Sequence, residues 1–220
     1  MDRLDEIAAV AEPLLRRVDD MVTDQGAPAG HHLWAALRRV RLLPADAVRA
    51  VLRLRPAALD PVGPQLRRRS ADHAELAASL PDPGGWTGDA AEAYDLARRR
   101  MAGHLGPGPE SLAERLDTSA DLGDALAQWM RRTRTEVAGA LADVLVSAEA
   151  VVLSGAPPAG AGASPVSAAE VLAAADIAAR VLRVVADAYD VVEDLLSGSV
   201  ELLRASPPPS GRHVTDPFPG

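Results

Sequence analysis

The side chains able to do chemistry are few and poorly placed for it. Five histidines stand at His31, His32, His73, His104 and His213. A helix presents two ligands to one ion when they are three or four residues apart, and no pair here has that spacing, so no metal site is expected. The absence of cysteine removes disulfides, thiolate metal sites and a thiol nucleophile. Carboxylates are plentiful, but Asp190, Glu193 and Asp194 are spaced as an exposed helix face rather than as the facing pair that acid–base catalysis needs. The sequence holds no Gly-x-Ser-x-Gly, and its glycine-rich stretch lacks the Lys-Ser/Thr ending of a phosphate loop. The expectation is a protein without catalytic residues or cofactor, one that acts by binding.

The remaining unusual string is Gly85-Trp86-Thr87-Gly88-Asp89-Ala90-Ala91-Glu92-Ala93-Tyr94. A large ring at a helix–helix connection can close the apolar seam, and Gly88 lets the chain bend without a Cβ. Small Ala90 and Ala91 allow close approach of the helices. Asp89 and Glu92 suit the positive end of a new helix.

The elements around this string are expected to be helical throughout. Of 220 residues, 48% are hydrophobic but only 3% aromatic, and alanine supplies about one in five, which favours closely packed helices over a β-sandwich. Leu4, Ile7, Ala8, Ala11, Leu15, Val18 and Val22 share a helical face, with Pro13 expected to kink the helix or mark a late start. Short amphipathic pieces follow at 31–43 and 45–55. Leu59, Val62, Leu66, Arg69, His73, Leu76 and Leu80 give one arm of a hairpin, stopped by Pro81-Asp82-Pro83-Gly84-Gly85. The other arm starts near Asp89 and carries Ala90, Tyr94, Ala97, Met101 and Leu105.

After Gly106-Pro107-Gly108-Pro109 come two long segments, 110–153 and 165–205, each about 60 Å long at roughly 1.5 Å per residue. The first has a stripe from Leu112 through Leu122, Trp129, Thr133, Val137, Leu141 and Val144 to Val151. The second repeats Val171, Ala175, Ala178, Leu182, Val185, Tyr189, Val192, Leu196, Ser199 and Leu203. An adjacent stripe at Val181, Val184, Ala188, Val191, Leu195 and Leu202 asks for a further neighbour, either the N-terminal hairpin or a partner chain. The expected architecture is all-α, an elongated antiparallel bundle of hairpins divided as 1–58, 59–105 and 110–205, with a linker at 154–165 and a disordered tail at 206–220.

Trp86 and Gly88, with Ala90, Ala91 and Tyr94 following, resemble the Trp-x-Gly (WXG) superfamily of helical-hairpin proteins exported by type VII secretion systems. The likeness covers chiefly residues 59–105, and the interrupted second arm and added helices are closer to the longer, secretion-associated relatives. The resemblance implies export without a cleaved signal peptide, and an export signal composed of the Trp-x-Gly turn and a Tyr-x-x-x-Glu element, matched in form by Tyr189 and Glu193. It also implies an export ATPase or a WXG-like chain as partner, with homo- or hetero-oligomers possible, and a location that is cytoplasmic before export and secreted or cell-surface after it.

Residues 1–22 lack the basic start and uninterrupted apolar core of a secretory signal, and no window is apolar for the roughly 18 residues of a membrane span. The net charge of −8 is concentrated after residue 80, which argues against nucleic acid as a partner. Two alternatives remain. A cytosolic coiled-coil scaffold would bury Tyr189 in its own seam. A nucleic-acid-binding helical dimer would use Arg38, Arg39, Arg41, Arg49, Arg53 and Arg55.

Overall fold

A computed structural model describes residues 2–155 and 166–204, with side-chain surroundings up to residue 199. The fold class is all-α. Among the described residues there are eight α-helices, one 3-10 turn at Pro56–Ala58 and no strand. The helices are α1 (Arg3–Gln25), α2 (Leu33–Val40), α3 (Pro44–Leu52), α4 (Val62–Ser79), α5 (Asp89–Leu105), α6 (Leu112–Leu145), α7 (Ala148–Ser154) and α8 (Ala168–Arg204). Most of the linker expected at 154–165, and the tail at 206–220, lie outside the described residues.

The chain divides into two compact units, and the division differs from the expected one. Among the described residues, unit 1 comprises 2–59, 125–155 and 166–194, and unit 2 comprises 60–124 and 195–204. Both long helices, α6 and α8, change unit partway along, which the continuous stripes at 110–153 and 165–205 gave no reason to expect.

Unit 1 is built on aliphatic side chains. Leu4, Leu15, Val18 and Val22 of α1 are buried with Leu33, Val48, Val137, Leu141, Val144, Leu153, Ile177, Leu182 and Val185. Burying each such side chain fully is worth about 1.5–3 kcal/mol. The helix α1 begins in a capping box, Asp2 accepting from the Leu4 and Asp5 amides while its own amide donates to Asp5. Pro13 does not end it. The carbonyl left without a helical donor is that of Ala9, an exposed residue.

The second apolar stripe of α8 is accounted for in part by neighbours within unit 1. Glu170 meets Arg17 of α1, Asp176 meets His31, Arg180 meets Glu149 of α7, and the Ala188 carbonyl accepts from the Trp129 indole of α6 at 2.9 Å. From Ala173 to Leu182 burial runs nearly all round the helix. Beyond Tyr189 neither stripe is fully buried: on the seam Val192 is half-buried and Leu196 44% exposed, and on the adjacent stripe Val191 is 51% exposed.

One polar residue ties unit 1 together. Arg134 is buried, and every guanidinium nitrogen is used. Nε and Nη2 clasp the two Asp2 oxygens at 2.6 and 2.8 Å, Nη2 also reaches Asp5 at 3.0 Å, and Nη1 donates to the carbonyls of Val51, Leu52 and Leu54. A single cation therefore anchors the start of α1 and satisfies the carbonyl end of α3. Hydrogen bonding from Arg134 holds the Asp2 carboxyl down at about 2. The start of α3 is closed by Asp19 of α1, which accepts the Ala45 amide. Burial lifts the Asp19 carboxyl to about 6.

The segment 110–153 is not one helix. Ser147 interrupts it, its amide and hydroxyl both donating to the Val144 carbonyl while its oxygen caps the Ala150 amide. The axes of α6 and α7 differ by 61°. The turn moves Val151 off the expected stripe and leaves it 70% exposed. No single helix among the described residues is long and apolar enough to cross a membrane.

In unit 2 the buried positions, among the described residues, are all Gly, Ser or Ala. Gly63, Ser70 and Ala77 of α4 are seven residues apart, as are Ala113 and Ala120 of α6, and Ala91, Gly106, Ser111 and Gly123 complete the set. Helices α4 and α6 run antiparallel with their members of this set between them. Gly63 faces Asp124, Ser70 Oγ lies 3.1 Å from the Ala113 carbonyl and 2.9 Å from Asp117, and Ala77 meets Gly106. The leucines expected to form the seam, Leu112, Leu116 and Leu122, are only half-buried.

Candidate functional site

The sequence singled out two places, and the structure puts them in different units. In unit 2, the connection between α4 and α5 is held by local bonds at every step. The Gly84 amide donates to Asp82, the Trp86 amide to the Pro83 carbonyl, and the Tyr94 hydroxyl to the Pro81 carbonyl at 2.9 Å. Gly88 sits at φ 91°, a conformation that strains any side-chain-bearing residue, and its carbonyl opens α5 by accepting the Ala91 and Glu92 amides.

Held in this turn, Trp86 is 64% exposed, with its ring tilted against that of Tyr94 at a centroid distance of 5.8 Å. An indole so exposed contributes little to a core, while a fixed aromatic surface binds at low entropic cost. Trp86, expected to close the apolar seam, instead has a ring that is mostly exposed and meets Tyr94. Of the two alanines expected to let the helices approach, Ala91 is buried and Ala90 exposed. Consecutive helical residues are about 100° apart, so a helix with one packed face, as α5 has, turns only one of them inward. The stripe read through Ala97 and Met101 is likewise on the outer side, Met101 being 51% exposed. The inner positions are Ala91, Tyr94, Asp95, Arg98, Ala102 and Leu105.

In unit 1, Tyr189 and Glu193 lie one turn apart on α8. The Tyr189 ring is half-buried against the hydrophobic core, and the Glu193 carboxylate is exposed. Arg39 of α2 reaches across to this turn, with Nη2 3.2 Å from Glu193 and in an ion pair with Asp190. Arg39 is thus committed to its own chain, as is Arg49, which pairs with Asp46 at 2.5 Å. Two of the six arginines suggested for nucleic acid are neutralised this way.

The structure also assembles a group that sequence spacing did not flag. His31, His32 and Asp176 place one ligand atom each within 4.8 Å of the others. The i, i+4 rule missed it because the two histidines are adjacent in the lead-in to α2, their rings stacked at 4.2 Å, and the third ligand comes from α8. Nδ1 of His31 accepts the Leu33 amide at 3.1 Å, which places the ring proton on Nε2, and Nε2 donates to Asp176 at 3.1 Å. Both nitrogens of His31 are occupied in holding α2 to α8. A cation would find His32 and one Asp176 oxygen, two ligands where a resident transition-metal ion is held by three or four.

Comparison with protein-family models, with curated proteins and with solved structures gives no match to this chain.

Proposed function

We propose that the chain is a non-enzymatic helical substrate or component of a type VII secretion system, exported without a cleaved signal peptide and acting by protein–protein contact. Its partner in this reading is the export ATPase or a second Trp-x-Gly-like chain. The observation that carries it is Trp86, largely exposed at the end of a helical hairpin and held by Gly88, Tyr94 and the Pro81–Gly85 turn. Glu193 adds an exposed carboxylate on α8. The test compares culture filtrate with lysate in the producing host, with and without a functional type VII ATPase, for the wild type and Trp86→Ala. The reading expects ATPase-dependent release that Trp86→Ala abolishes while helicity by circular dichroism is unchanged. Retention of the wild type beside an exported control substrate overturns it.

A second reading is supported by Tyr189. Its half-buried ring on the unit 1 core suits a cytosolic scaffold in which Tyr189 is a seam residue. The two readings separate on release of the wild type: retention in the lysate beside an exported control supports the scaffold, and ATPase-dependent release excludes it. Where the wild type is released, Tyr189→Phe, which keeps the packing, tests whether the hydroxyl is recognised, by a loss of release with unchanged stability.

A further inference from the structure

The contact made by Arg39 has a place in neither packing nor capping. It is an exposed side chain on α2, and it spans to the one turn of α8 that holds Tyr189, Asp190 and Glu193. We propose that Arg39 is a built-in cap on this element: in the free chain it pairs with Asp190 and Glu193, and the element's partner engages by presenting a cation of its own that replaces Arg39. The inference rests on the export reading above, and names the regulation and the partner chemistry of the same site.

Three observations carry it. Both Arg39 contacts are long-range, the one to Glu193 joining residues 154 positions apart, so they depend on α2 being docked beside α8 rather than on a helix pairing within itself. The same α2 is docked by a separate set of contacts, His31 to Asp176 and buried Leu33 and Val40, so removing Arg39 takes away the cap without releasing the helix. Finally, all three charged groups are well exposed, with side chains 45%, 54% and 67% accessible for Arg39, Asp190 and Glu193. An exposed pair of this kind is weak and screened by salt, so a partner arginine in a less hydrated interface can outcompete it.

The partner that fits is a helix or loop with an arginine directed at the Glu193 carboxylate, which is exposed on the same face of α8 as Tyr189. A partner lacking a cation would leave Glu193 with Arg39 and the cap in place.

The test measures the filtrate-to-lysate ratio for wild type, Arg39→Ala, Arg39→Lys, Arg38→Ala, Glu193→Gln and the Arg39→Ala/Glu193→Gln double variant, with helicity as a control. The cap predicts that Arg39→Ala raises the ratio about two- to fivefold, the range that an exposed ion pair's coupling allows. Arg39→Lys stays near wild type, Arg38→Ala is unchanged, Glu193→Gln falls at least about tenfold, and the double variant matches Glu193→Gln. If Arg39→Ala leaves the ratio unchanged or lowers it while Glu193→Gln still falls, the cap is wrong and the export reading stands. An equal rise in Arg38→Ala makes the effect one of general charge, and also overturns the cap. If wild-type release does not depend on the ATPase, both fall together.

Discussion

Unit 1 and unit 2 use opposite solutions to helix packing. Unit 1 buries leucine, isoleucine and valine from α1 to α3 and α6 to α8 around the central half of α8, and places one fully bonded cation, Arg134, inside it. Unit 2 buries nothing larger than alanine or serine among its described residues, and leaves Leu76, Trp86, Leu96 and Met101 about half or more exposed. Small residues bring helix backbones close but remove little apolar area from water, whereas large ones do the reverse. The contrast teaches that stability is concentrated in unit 1, and that the apolar side chains of unit 2 are available for contact.

Each prediction follows from that contrast, beginning with the largest effect. Leu141→Ala, at a fully buried site in unit 1, should cost about 2–5 kcal/mol in urea unfolding. Leu96→Ala, half-exposed in unit 2, should cost no more than about 0.5 kcal/mol. Similar losses at the two sites would erase the distinction.

Arg134→Ala should cost about 3 kcal/mol, near the low end for a broken buried ion pair, because Asp2 and Asp5 retain access to water while three carbonyls lose their donor. Arg134→Met, which restores volume without the charge, should recover part of this loss in the same assay. Recovery by Met beyond wild type would mean that the cation is not what holds α1 to α3.

In unit 2 the sensitive change is the addition of one carbon. A Cβ at Gly106 would stand 2.9 Å from the Ala102 carbonyl and 3.1 Å from the Ala77 methyl, neither of which is a flexible side-chain end. Gly106→Ala should therefore cost about 1–3 kcal/mol by overpacking. A neutral result would show that the small-residue seam is loose.

The smallest effect is a pH dependence specific to unit 1. Asp19 binds a proton at about 6 when folded against an ordinary value of 3.8, so its buried charge weakens the fold at neutral pH and the penalty is relieved as pH falls from about 6 towards 4. Asp2 has the opposite sign. With a folded value of about 2, its contribution is present above 3.8 and is lost as pH falls from there towards 2. Stability from these two groups should peak near pH 4. Asp19→Asn, which can still accept the Ala45 amide, should gain about 1 kcal/mol at pH 7 after allowance for solvent screening, and nothing at pH 4. A gain of equal size at both pH values would place the effect elsewhere.

The sequence made some of this legible and hid the rest for identifiable reasons. Periodicity located α1, α4, α5 and the all-α class, because each of those helices has distinct stops at Gly26, Pro81, Gly88 and Gly106. It misplaced the inner face of α5, since Ala90 and Ala91 look alike in composition and only packing decides which one turns inward. It favoured leucines for the α6 seam where Ala113 and Ala120 are used, because hydrophobicity patterns overlook contacts made by small residues. The Ser147 break was hidden in an otherwise helical stretch. Arg134, Asp19, Arg39 and the His31–Asp176 pair all act through partners from 26 to 154 positions away, beyond what spacing along the chain can reveal. A weak signal existed for Arg134: it occupies the step after buried Thr133 on an apolar helical face, a place where a charge needs a partner.

The most direct test of the division between the units is native-state hydrogen exchange. The account predicts that amides of α1 from Leu4 to Val22 and of α8 from Ala173 to Ala188 exchange only through global unfolding, while those of α4 and α5 exchange through openings about 2 kcal/mol or more less costly. Protection in α4 and α5 equal to that in α1 would contradict it, and would mean that the small-residue seam is as strong as the aliphatic core.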